Sequence, residues 1–130
     1  MQELLFALMV WAMILSGYPA PDGMPKIRYA PSSFFVFFVC TPIMRPCKIV
    51  GYYDDNGTIY IHDKYRDMDH WAGSSIMVHE MVHYLQPEGM NMCAREKEAY
   101  HIQNVYLSQI LNSTKYIMPP YCKEESYEKN

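Results

Sequence analysis

The eight residues Val-His-Glu-Met-Val-His-Tyr-Leu at positions 78–85 constrain this chain more than any other stretch. They contain an H-E-x-x-H pattern, His79-Glu80-Met81-Val82-His83. On a helix, side chains four apart share one face, so His79 and His83 can converge on one metal ion. Two neutral imidazoles at that spacing suit Zn²⁺, and Glu80 is placed to act as a general base beside them. Both x positions are apolar, the flanks Val78 and Tyr84 carry no charge, and no Pro or Gly interrupts the turn. Gly73, Ser74 and Ser75 offer an N-cap, and Pro87 and Gly89 offer a stop. The pattern therefore predicts a helix over about residues 75–86, with Ile76, Met81 and Val82 turned to a core.

A catalytic zinc site takes three protein ligands and keeps one position for water. The third is sought on a second helix, expected over about residues 92–112, with Ala99, Ile102, Tyr106 and Ile110 as its apolar stripe. This helix carries Glu96 and Glu98. The turn at 87–91 folds it back antiparallel, so Glu96, about one turn in, meets His83, about one turn before the first helix ends. On a helical wheel Glu96 lies about 60° from Ala99, and Glu98 about 100° from it on the other side. Glu96 is the expected ligand and Glu98 the alternative. Tyr84, Tyr100, His101 and His70 are candidate donors to a developing oxyanion, each with an ordinary structural role as its competing reading.

The surrounding chain reads as one domain over residues 1–122, followed by a polar tail at 123–130. Residues 4–15 are nearly all apolar. Only Gln2 and Glu3 precede them where a secretory signal wants positive charge, and the run is too short for a membrane span. Leu4, Leu8, Trp11 and Leu15 form a helical stripe closed by Gly17 and Pro19, so a structural helix is favoured over a signal or anchor. Residues 18–31 hold five turn-forming Pro and Gly and read as an extended connection. Residues 32–39 are an apolar run read as a buried strand or a buried helical turn. Residues 40–47 read as a loop. Residues 48–53 and 58–62 flank Asn56-Gly57 and read as a hairpin. Residues 64–70 read as a charged surface segment.

With 11 basic and 14 acidic residues and no basic run, the chain shows no sign of a nucleic-acid partner. A membrane contact is expected only if residues 1–15 act as an anchor. Cys40, Cys47, Cys93 and Cys122 form no C-x-x-C. Cys40–Cys47 and Cys93–Cys122 pairings would suit a secreted or periplasmic protein; four reduced thiols would suit the cytoplasm.

H-E-x-x-H followed by a helix bearing Glu96-x-x-Ala99 resembles the gluzincin zinc metallopeptidases, particularly their small single-domain members. The likeness covers about residues 75–107. It implies that Glu96 is the third ligand, in agreement with the helical geometry. It implies an α+β fold: a minimal zincin-like domain with an N-terminal helix, a small antiparallel sheet, the H-E-x-x-H helix and the glutamate-bearing helix. It also implies that an edge strand, for which Thr58–His62 is the candidate, pairs with an extended peptide or protein substrate. Two features depart from the family. Only 12 residues separate His83 from Glu96, and Tyr100 stands where many members have the Asp or Asn that orients a histidine ligand. Three readings follow: a zinc peptidase with Glu80 as base, a catalytically inactive metal-binding domain acting in protein recognition, and a secreted or anchored structural protein without metal.

Overall fold

A computed structural model describes residues 2–40 and 46–122. The 123–130 tail and most of the 40–47 loop lie outside the described residues. Helix α1 spans Gln2–Ser16. Its expected stripe points inward: Leu8 is fully buried, and Leu4, Trp11 and Leu15 pack around the core. Met9 and Ala12 go deeper than the stripe suggested. Gly17, at φ +79°, ends the helix, its N–H donating to Met13 O; glycine takes that conformation without a steric penalty. Among the described residues no helix is long and apolar enough to cross a membrane.

The sheet is mixed, which corrects the expected antiparallel one. Strand β1 (Lys26–Ala30) lies within the stretch read as a connection. The prolines that suggested turns bracket it at 25 and 31 without entering it, and Lys-Ile-Arg-Tyr-Ala keeps the strand period of two. After β1 comes a short helix, α2 (Ser32–Phe38), then β2 (Gly51–Tyr53) and β3 (Thr58–His62). The order is β1-β3-β2, with β1 parallel and β2 antiparallel to β3. Thr58–His62 is thus the central strand, not the edge: Ile59 and Ile61 are fully buried. The edge toward the following helix is β2. The expected hairpin is present, with Asp54 Oδ1 accepting from the N–H of Asn56 and of Thr58 and Gly57 at φ +91°. The phenylalanine run forms α2, but burial of the whole run is corrected: Phe35 is buried while Phe37 and Phe38 stand open.

Helix α3 (Trp71–Leu85) begins four residues earlier than expected. His70 caps it, Nδ1 accepting from Ala72 N at 3.1 Å. Gly73, Ser74 and Ser75 are therefore inside the helix and buried, not at its cap. Gly73 lets the preceding turn press on the helix. A Cβ there would fall on the carbonyl oxygens of Asp67 and Tyr65. That turn also sinks Met68 into the core, within the segment read as surface. Gly73→Ala should cost about 3 kcal/mol, since backbone oxygens cannot swing aside as a side chain can. An unshifted urea midpoint would contradict this reading of the contact.

Helix α4 (Met92–Val105) is capped by Asn91 Oδ1 on Ala94 N and continues as a π-helical turn, Tyr106–Ile110. The stripe residues Ala99, Ile102 and Tyr106 are buried. The core joins α1, α3 and α4 to the inner face of the sheet through Leu8, Met9, Ile59, Ile61, Met77 and Met81. Cys40 stands at disulfide distance from Cys47, and Cys93 from Cys122, each with Cα atoms 5.8 Å apart. The second pair ties the chain after the π-turn to the start of α4. Both are compatible with an extracellular or periplasmic protein.

Candidate metal centre

His79, Glu80 and His83 project from the middle of α3 and are buried, at 6%, 5% and 8% exposure. Each offers one ligand atom, and these atoms lie within 4.8 Å of one another. Glu96 enters from α4 across the antiparallel turn. Its Oε1 is 2.5 Å from His83 Nε2 and 3.9 Å from His79 Nε2. Glu80 Oε2 is 3.9 Å from His79 Nε2. Glu98, the alternative ligand, points elsewhere: its Oε1 accepts from Tyr18 Oη and Gln86 Nε2.

Both imidazoles are oriented from behind by glutamines. His79 Nδ1 is 2.9 Å from Gln103 Oε1, and His83 Nδ1 is 2.8 Å from Gln86 Oε1. The remaining amide bonds fix which atom is oxygen. Gln103 Nε2 donates to Ser75 Oγ; Gln86 Nε2 donates to Arg95 O, while Gln86 Oε1 also accepts from Arg95 Nε. An amide oxygen accepts, so each Nδ1 carries a proton and each Nε2 is turned toward Glu96, where it can donate to the carboxylate when protonated or bind a metal when it is not. The latter is the tautomer a metal ligand needs. Arg95 in turn pairs with Asp55 at the hairpin tip, at 2.8 Å.

The electrostatics call for a cation at this point. Burial pushes the Glu96 carboxyl up, but hydrogen bonds from His79 and His83 and their charge outweigh it and hold it well below the usual range. Burial pushes His83 down, yet the Glu96 hydrogen bond and the Glu80 and Glu96 charges leave it raised. A proton on His83 or a metal ion between the rings would each answer that field. Two imidazole nitrogens and one carboxylate oxygen form a donor set suited to a divalent metal. Glu80 differs: burial dominates and raises its pKa, against the charges of His79 and His83.

Glu80 is pressed toward β2. A Cβ at Gly51 would come within 2.8 Å of Glu80 Oε2 and 2.9 Å of Ile76 Cγ2, so a larger residue there would displace the carboxylate from its present position. β2 therefore borders the centre, the place expected for β3. A cavity of about 410 Å³ opens beside His83, lined by Tyr53, Tyr84, Met90 and Arg95 among others.

Of the four candidate oxyanion donors, Tyr100 packs its ring on a candidate ligand histidine, 4.4 Å from that of His79. Burial, with the Glu96 and Glu80 charges, pushes its hydroxyl up to about 12, so it stays protonated as a donor. Tyr84 Oη donates to Gly23 O, His70 caps α3, and His101 is exposed. His62, a conceivable fourth ligand, bonds Ser32 and Lys64 N instead. Sequence reasoning missed Gln86, Gln103 and Gly51. The signal for the glutamines was present: Gln86 follows His83 by three and Gln103 follows Glu96 by seven, both same-face spacings.

Residues 1–117 match the model of a domain of unknown function, DUF6647. No curated protein and no solved structure matches the chain.

Proposed function

We propose that this chain, which belongs to the DUF6647 domain family, is a zinc-dependent peptidase of the gluzincin kind. The observation that carries the reading is the convergence of His79 Nε2, His83 Nε2 and Glu96 Oε1, with Glu80 beside them. His79, His83 and Glu96 would hold Zn²⁺. When bound, the metal would lower the pKa of a water and polarise a carbonyl. Glu80 takes the proton of the attacking water and passes it to the leaving amine. Its burial raises its pKa, which makes it a better proton acceptor than an exposed carboxylate. Gln103 and Gln86 keep the rings turned, and Tyr100, whose ring packs on that of His79, would donate to the developing oxyanion.

The substrate is an extended peptide laid along the β2 edge, with one side chain in the cavity beside His83. The paired cysteines favour a secreted or periplasmic setting. The inactive metal-binding alternative is weaker, because Glu80 is present and directed into the centre.

Protein purified without chelator should hold about one equivalent of zinc and cleave unstructured peptides, and o-phenanthroline should remove both properties together. Hydrolysis that persists after complete zinc removal would defeat the proposal. Stoichiometric zinc without hydrolysis of any peptide pool would favour the recognition domain.

A further inference from the structure

Charge is unevenly spread along this chain. Residues 23–53 contain no Asp or Glu, and their charged side chains are Lys26, Arg28, Arg45 and Lys48. The chain as a whole is net −3, so its acidity lies wholly outside that stretch. Alternate residues of the stretch lie on the outer face of the sheet. Arg28 and Tyr52 both pair in register with Tyr60, and all three alternate with the inward Ile59 and Ile61. Lys26, two residues from Arg28, shares their face. Phe34 of α2 stacks on Tyr60 at 4.5 Å and meets Phe38 at 5.6 Å. Next to it Phe37 and Phe38 are 77% and 76% exposed, and Val36 48%. Lys26, Arg28 and Lys48 are exposed as well.

Single exposed apolar side chains need no account, but a cluster of them beside cations, in a stretch without Asp or Glu, does. Aromatic rings settle at the headgroup level of a bilayer, and lysine and arginine are drawn to anionic lipid. We propose that this face docks on an anionic lipid surface. Val36, Phe37 and Phe38 enter the acyl boundary, and Lys26 and Arg28 meet the headgroups. Charge selects this occupant over a second copy, since two such faces would oppose like charges. A single-stranded nucleic acid would satisfy the cations, but Tyr52, Tyr60 and Phe34 stack on one another instead of offering free rings to bases. The contact is interfacial: α2 has seven residues, against about 20 needed to span. Because α3 packs on the opposite face of the sheet, docking leaves His79 and Glu96 on the side away from the lipid.

The test is co-sedimentation of the full chain, disulfides oxidised, with phosphatidylcholine vesicles and with vesicles containing phosphatidylglycerol. Binding is expected to the second alone and to fall with salt. Lys26→Gln with Arg28→Gln should weaken it about 25-fold, about fivefold per charge. Phe37→Ser with Phe38→Ser should weaken it about tenfold or more. All four side chains are exposed, so circular dichroism should be unchanged. The proposal is overturned by absence of binding to the anionic vesicles or by binding of either double variant at the wild-type strength. It is also overturned by a dimer that the phenylalanine variant dissolves, or by uptake of a single-stranded oligonucleotide in place of vesicles.

Discussion

Glu80→Gln is expected to lower peptide hydrolysis by about 10²–10⁴-fold while zinc remains bound. Glutamine keeps the shape of the side chain, so the space that Gly51 leaves for the carboxylate stays filled. It cannot take a proton from water, and that is the step assigned to Glu80. Zinc should stay because His79, His83 and Glu96 are untouched and both rings remain held by Gln103 and Gln86. The measurements are zinc content by metal analysis and single-turnover hydrolysis of a peptide. Hydrolysis at the wild-type rate would remove Glu80 from the mechanism. Simultaneous loss of zinc would make it a ligand, which its 3.9 Å approach to His79 Nε2 allows to be tested directly.

The second large effect separates the two glutamates of α4. Glu96→Ala should weaken zinc binding by more than about 100-fold, beyond the 10–100-fold typical of groups that only orient a ligand. Among the described residues Glu96 alone brings a carboxylate oxygen within 3.9 Å of both Nε2 atoms. Glu98→Ala should cost about tenfold at most, because Glu98 acts through the Gln86 amide and Tyr18. Competition with a chromophoric chelator reads both. A larger loss in Glu98→Ala than in Glu96→Ala would reverse the assignment. Protein that binds no zinc in any form would instead defeat the metal-centre reading itself.

The residues that were legible in the sequence share one property: their relations are local. His79, Glu80 and His83 sit within one turn and a half, where helix periodicity alone sets the face they share. Glu96 was reachable because a short turn between two helices leaves few ways to return. The stripes of α1 and α4 were read for the same reason. Three things escaped. The start of α3 was set too late, because Gly73 looked like a cap residue when it is in fact a site of close backbone approach. β1 was hidden by flanking prolines. The glutamines were passed over because Gln is ordinarily a surface residue, and nothing in its type marks it as a partner for imidazole.

By itself, then, the sequence determined the pair of imidazoles, the carboxylate beside them, the helix that carries them and the glutamate that returns to meet them. Tertiary structure decided which strand borders that centre. β3 took the centre of the sheet because β1, distant in the chain, paired with its other side, and this left β2 beside Glu80. It also decided that glutamine amides, and not Tyr100, fix the ring tautomers, since only the packing of α4 on α3 brings Gln103 to His79. Strand pairing and side-chain approach across helices join residues far apart in sequence, and no local period records them.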